Sequence, residues 1–137
     1  MRVALDTNVL VSAVATRGLC ADVFNLVLAE HELILGETVL AELRRVLREK
    51  IRIPIAAIDE LDTLLRHEGH VVTEAPLLAL TIRDGSDVPV VSEAVAGKAD
   101  VLVTGDRDLL ELEARLPMQI MAPRAFWERL RQTAPPR

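Results

Sequence analysis

Aromatic residues are almost missing: the 137 residues include no tyrosine, one tryptophan and two phenylalanines. Proteins that read splayed bases by stacking need an aromatic platform, so recognition through aromatic cages is excluded. Cysteine is as scarce. Cys20 stands alone, which rules out an intrachain disulfide, fits a reducing cytoplasm, and leaves Cys20 the role of a small apolar filler. Long hydrophobic runs are lacking too. No stretch of about 18 uninterrupted apolar residues occurs, which excludes a membrane-spanning helix of the usual kind. Arg2, an apolar stretch and Ala13-Val14-Ala15 superficially imitate a secretory leader, but Asp6, Asn8 and Ser12 interrupt it. The chain reads as a soluble, unprocessed cytoplasmic protein.

Excess positive charge is also absent. A formal charge of −5 does not suit a protein that coats nucleic acid by displacing counterions, so any such contact must be local or bridged by metal. What the chain does have is a 50% hydrophobic content, ample for one core. The expectation is a single domain over residues 1–132, with residues 133–137 (TAPPR) as a frayed, flexible tail.

Along the chain, strand-like and helix-like segments alternate. RVALD at residues 2–6 reads as a short buried strand, followed by helices over 8–15 and 20–30. ELIL at 32–35 is the second strand, and ETVLAELRRVLREK after Gly36 is a helix with no internal glycine or proline. Pro54 restarts a helical pattern to about residue 67, and HVVT at 70–73 is a third strand. A helix from Asp87 to Ala96 is closed by Gly97. DVLV at 100–103, a turn at Gly105, a short helix to Leu112, a strand at QIM and a helix over 123–131 complete the order. Such alternation indicates an α/β domain: a three-layer α/β/α sandwich around a mainly parallel sheet.

In such sheets ligands gather beyond the C-terminal ends of the strands. Asp6 closes the first strand and Asp106 follows VLVT by one glycine, so two acids a hundred residues apart are placed to meet at one edge. Each also reads, taken singly, as the cap of the helix it precedes. Glu42 falls at the border of the stripe defined by Val39, Leu40, Leu43, Val46 and Leu47, with Arg45 three residues on as a ready partner. Asp87 shares a helical face with Val91, Ala94 and Val95, and also suits a first helical turn. Capping gives four acids no reason to converge. A Mg²⁺ or Mn²⁺ site does, because it needs hard oxygen donors from several segments.

The segments VALDTNVLVSA, ETVLAELRRVL, RDGSD and AGKADVLVTGDRDLL, in this order and spacing, resemble the PIN domain family, and more narrowly its single-domain bacterial toxin ribonucleases. The resemblance spans nearly the whole chain. It implies a PIN-like fold and a Mg²⁺- or Mn²⁺-dependent endoribonuclease, a hydrolase leaving 5′-phosphate and 3′-hydroxyl ends. Its metal-binding acids correspond to Asp6, Glu42, Asp87 and Asp106, with Asn8 and Thr104 positioning the first acid or the attacking water and Asp108 as an auxiliary acid. Where relatives often carry RDP, this chain has Gly85, followed by Ser86 and Pro89, which leaves Asp84 as a rival to Asp87.

The partners expected on this reading are an RNA substrate, an antitoxin protein and a second copy of the chain as a homodimer. Arg44, Arg45, Arg48, Lys50 and Arg52 follow Glu42 and are placed either to track phosphates or to complement a helix C-terminus. Arg124, Arg129, Arg131 and Arg137 raise the same question. His31, His67 and His70 lack metal-ligand spacing. Phe126 and Trp127, beside apolar neighbours near the chain end, are candidates for a dimer or antitoxin surface. The rival readings are an inactive PIN-like module acting through protein partners, an RNA-processing nuclease outside any toxin–antitoxin pair, and a phosphotransfer domain. The last lacks a second acid at Asn8, and no glycine-rich phosphate loop supports nucleotide binding.

Overall fold

Apolar residues alternating between two faces build the sheet. In the computed structural model, which describes residues 1–112 and 115–133, the strands are β1 (Arg2–Leu5), β2 (Glu32–Gly36), β3 (His70–Val72), β4 (Val101–Val103) and β5 (Gln119–Met121). They pair in the order β3-β2-β1-β4-β5. Every pairing is parallel, with Val3 opposite both Leu33 and Val101. Short parallel strands whose residues beyond the first are almost all apolar demand cover on both sides. Val3, Leu5, Leu33, Leu35, Val101 and Val103 point into one cluster, and Ala4, Ile34, Val72 and Leu102 into the other.

The first cluster is covered by α1 (Thr7–Ala15), α2 (Leu19–Glu30), α3 (Glu37–Glu49), α4 (Ile55–Glu68) and α7 (Pro123–Thr133). The second is covered by α5 (Asp87–Ala96), through Val91 and Ala94, and by α6 (Arg107–Leu110), through Leu109. The expected three-layer α/β/α sandwich is present, and its sheet is wholly rather than mainly parallel. Pro89 sits in the first turn of α5, where a missing N–H costs nothing. The short helix after Gly105 stops at Leu110, two residues early.

The chain reaches β2 and then β3 on one side of β1, then crosses back through α5 to place β4 on the other. The strand order therefore reverses between β1 and β4, and the loops leaving those strands part there. Residues 73–86 form no helix or strand. They are anchored by Ala75, Leu78, Leu80 and Ile82 on the second cluster, and by the Leu78 N–H donating to Ser92 Oγ at 3.0 Å. This segment delivers Asp84 and Asp87 to the same edge.

Two expectations at the chain end change. Phe126 is fully buried in the first cluster, because α7 packs on α2, so it anchors the core rather than a partner surface; Trp127 packs partly buried beside it. Thr133, assigned to the tail, closes α7, and residues 134–137 lie outside the described residues. Among the described residues no single helix is long and apolar enough to cross a membrane.

Candidate active site

Asp6 does two things at once. Its Oδ1 accepts from the Thr7 N–H at 2.8 Å, capping α1, and its Oδ2 accepts from the Thr104 hydroxyl at 2.6 Å. Burial pushes its carboxyl above the ordinary range; the two hydrogen bonds oppose that, and the Asp106 charge adds to it. Asp106 likewise caps α6, with Oδ1 accepting from the Asp108 N–H at 2.9 Å, while its own N–H donates to Thr104 Oγ at 3.0 Å. The fully buried Thr104 side chain thus ties the ends of β1 and β4 together. For these two acids, capping and convergence are the same geometry.

Asp87 opens α5 differently. Its Oδ2 is buried with no hydrogen-bond partner, and its carboxyl is pushed up to about 7, first by desolvation, then by the charges of Asp106, Asp84 and Asp6, and last by hydrogen bonding of its protonated form with the Asp106 side chain. Asp84 is the opposite case: fully exposed, it accepts from the Ser86 N–H at 3.0 Å and hydroxyl at 2.7 Å, and those bonds hold its carboxyl below the ordinary range. Glu42 enters from α3, more exposed, accepting from the Thr7 hydroxyl at 3.3 Å and lying 3.9 Å from Arg45.

These groups share an open cleft of about 410 Å³ lined by Asp6, Thr7, Asn8, Glu42, Asp84, Asp87 and Asp106, together with Val11, Ser12, Ser86, Val46 and Lys50. Asn8 makes no hydrogen bond to Asp6; its Oδ1 accepts from the Gly105 N–H at 3.5 Å. Asp108 does not line the cleft, and its contribution is the backbone N–H given to Asp106. His31 and His70 sit at the N-terminal ends of β2 and β3, at the opposite edge of the sheet. Of the basic cluster on α3, Lys50 alone reaches the cleft. Arg44 pairs with Asp59, and Arg45 with Glu42 and Glu49.

The sequence matches the PIN domain family over residues 2–108, most of the chain and all four acids. The chain belongs to the PIN domain family. The family is generally one of nucleases that use divalent metals. The PIN fold is also seen in a chain of the crystal structure of VapBC2 from Rickettsia felis bound to a DNA fragment from their promoter. The two superpose with a TM-score of 0.61 at 20% identity, over 88% of this PIN domain and 97% of that chain. No curated protein matches the sequence.

Whether the residues of this PIN domain suit a divalent ion is a question of donors. Among the described residues no three His, Cys, Asp or Glu side chains stand close enough to hold one ion between them. Mg²⁺, however, keeps several waters and takes only one or two protein carboxylates beside substrate phosphates. Asp87, with its unpartnered oxygen crowded by the Asp106 charge, meets that demand, and all the donors are hard oxygens. The set fits.

Sequence reasoning passed over Thr7, Val11, Ser12 and Ser86 as cleft residues. A signal was available for three of them. Thr7 and Val11, and Asn8 and Ser12, are i,i+4 pairs, so any face of α1 turned toward Asn8 carries the others.

Proposed function

We propose that the chain is a Mg²⁺- or Mn²⁺-dependent endoribonuclease and the toxin of a toxin–antitoxin pair. The observation that carries the enzymatic reading is Asp87, whose Oδ2 is buried without a partner while the carboxyl is crowded by the like charges of Asp106, Asp84 and Asp6. Such crowding is tolerable chiefly where a cation is to be held. Asp87 and Asp106 would hold the ion directly, with Asp6 and Glu42 reaching it through its waters; when bound, the ion would supply an activated water and offset charge on phosphate oxygens. No covalent protein intermediate is needed.

The chain's own residues do the positioning. Thr104 and the Thr7 N–H hold one oxygen each of Asp6, so the carboxylate is oriented before substrate arrives. Asn8, through Gly105, and Thr104, through the Asp106 N–H, fix the turn that carries Asp106. Asp108 acts as an auxiliary through its N–H to Asp106.

The partner reading rests on likeness of fold. VapBC2 of Rickettsia felis, a toxin–antitoxin assembly, was crystallised bound to a DNA fragment from their promoter. By that likeness, an antitoxin protein and a homodimer are proposed for this chain, with the cytoplasm as its compartment.

The test is direct. Purified chain should cut single-stranded RNA only with Mg²⁺ or Mn²⁺, and chelator or Asp6→Asn should stop it. RNA surviving equally with and without metal would leave an inactive PIN-like binding module. Induced in a bacterial host, the chain should arrest growth and Asp106→Asn should not; growth unaffected by either would remove the toxin assignment.

A further inference from the structure

Among the described residues five carboxylates line the cleft, and one cation does: Lys50. The lining residues are not scattered. On α3 and its cap they are Glu42, Val46 and Lys50, at i, i+4 and i+8 along a single stripe. On α1, which packs against α3, they are Thr7, Asn8, Val11 and Ser12, one face of that helix. The cleft is therefore a groove between two helices. It begins at the acids and ends at Lys50, about 12 Å further along the α3 axis than Glu42 at roughly 1.5 Å per residue.

Its chemistry changes in that direction. Carboxylates give way to the valines and the Ser12 hydroxyl, and these to an ammonium. Among the described residues no ion pair or hydrogen bond engages the Lys50 side chain, whereas Arg44 and Arg45 on the same helix are already paired. A free ammonium at the far end of an acidic cleft suits an anion brought from outside.

We infer that this groove is a substrate subsite, on the ribonuclease reading above. Single-stranded RNA lies along α1 and α3 with the reacting phosphodiester at the carboxylates, a neighbouring phosphate on Lys50, and the intervening nucleoside against Val11 and Val46. Lys50 binds substrate and takes no part in the bond cleavage. With no aromatic residue among those lining the cleft, the grip there is by phosphate and apolar contact rather than by base stacking.

Length is the handle for the test. Metal-dependent cleavage is measured on a long oligoribonucleotide and on a dinucleotide with a single phosphodiester, using wild type, Lys50→Gln, Lys50→Arg and Arg48→Gln. Arg48 lies near the same helix end but outside the groove, and so controls for bulk charge and for the helix dipole. Lys50→Gln should raise KM for the long substrate about tenfold, the loss of one charge-assisted contact, with kcat nearly unchanged. The dinucleotide should not notice, Lys50→Arg should restore binding, and Arg48→Gln should change little.

Binding is read separately by anisotropy in an Asp106→Asn background. There Lys50→Gln should lower the slope of log affinity against log salt by about 0.7, one phosphate contact to a single strand. An unchanged slope, no binding at all, or equal effects on both substrates overturns the subsite. If wild type cuts neither substrate while Lys50→Gln still lowers the slope, the ribonuclease reading fails and the groove stands.

Discussion

Thr104 donates its hydroxyl to Asp6 Oδ2 at 2.6 Å, joining the end of β4 to the end of β1 at the point where the strand order reverses. The bond is one of two that hold the Asp6 carboxyl down against burial. Thr104→Val keeps the shape and deletes the bond, so the Asp6 pKa should rise and the acidic limb of the pH–rate profile should move to higher pH. A tenfold to hundredfold fall in kcat is expected, roughly the usual cost of losing a group that orients a metal ligand. Carboxyl NMR titration of Asp6 without metal checks the pKa independently of activity; an unmoved titration would refute the coupling.

Asp6 as cap and Asp6 as crowded acid make different demands on substitution. Asparagine can still accept from the Thr7 N–H, and it removes a charge that both burial and Asp106 disfavour. Metal-free Asp6→Asn should therefore melt at the wild-type temperature or above it. Alanine loses the cap and strands the Thr104 hydroxyl in the interior, at a cost of about 1–2 kcal/mol. Equal losses for the two variants would mean that the negative charge itself stabilises α1.

For Asp87 the sign of the pH dependence runs opposite to that of a salt-bridged carboxylate. In the unfolded chain the carboxyl ionises near pH 4, whereas in the folded protein it is pushed up to about 7. Between those values the folded state holds a proton the unfolded state has lost, so stability falls as pH rises and the loss is complete above about 7. Metal-free wild type should show this decline relative to Asp87→Asn, which has no proton to lose. Mg²⁺ or Mn²⁺ should offset the decline in wild type alone, with a larger rise in Tm at pH 8 than at pH 5. Parallel melting curves for the two proteins across pH would exclude Asp87 as the source.

The sequence made the strand ends legible because short apolar strands followed by aspartate leave little choice of register or position. Asp6 and Asp106 follow from that, and the bounds of α5 at Asp87 and Ala96 match the expected ones. The basic cluster was not separable, since its members are adjacent in sequence but diverge by about 100° per residue around α3. Only packing decides that Arg44 meets Asp59 while Lys50 enters the cleft. Phe126 was misjudged because its burial depends on α2, a hundred residues earlier. The unpartnered oxygen of Asp87 depends on how an irregular segment, residues 73–86, delivers it, which no periodicity encodes.

Glu93 is a further instance of distance hiding a role, and it carries a prediction of its own. Gly36 precedes α3 and offers no side chain to cap it. Glu93 of α5 reaches across instead, accepting from the Thr38 N–H at 2.8 Å and from the Thr38 hydroxyl. The carboxylate fills the space beside Gly36: a Cβ added there would lie 2.2 Å from Glu93 Oε1 and 2.8 Å from its Cβ. Glu93→Ala should cost about 1–2 kcal/mol through the lost cap. Gly36→Ala should cost at least as much, because it expels the carboxylate and so removes the same cap. The two losses then share a cause, and the double variant should be less destabilised than their sum, read from urea midpoints at unchanged m-value. Strict additivity would mean that Gly36→Ala acts on the backbone of α3 and not through Glu93.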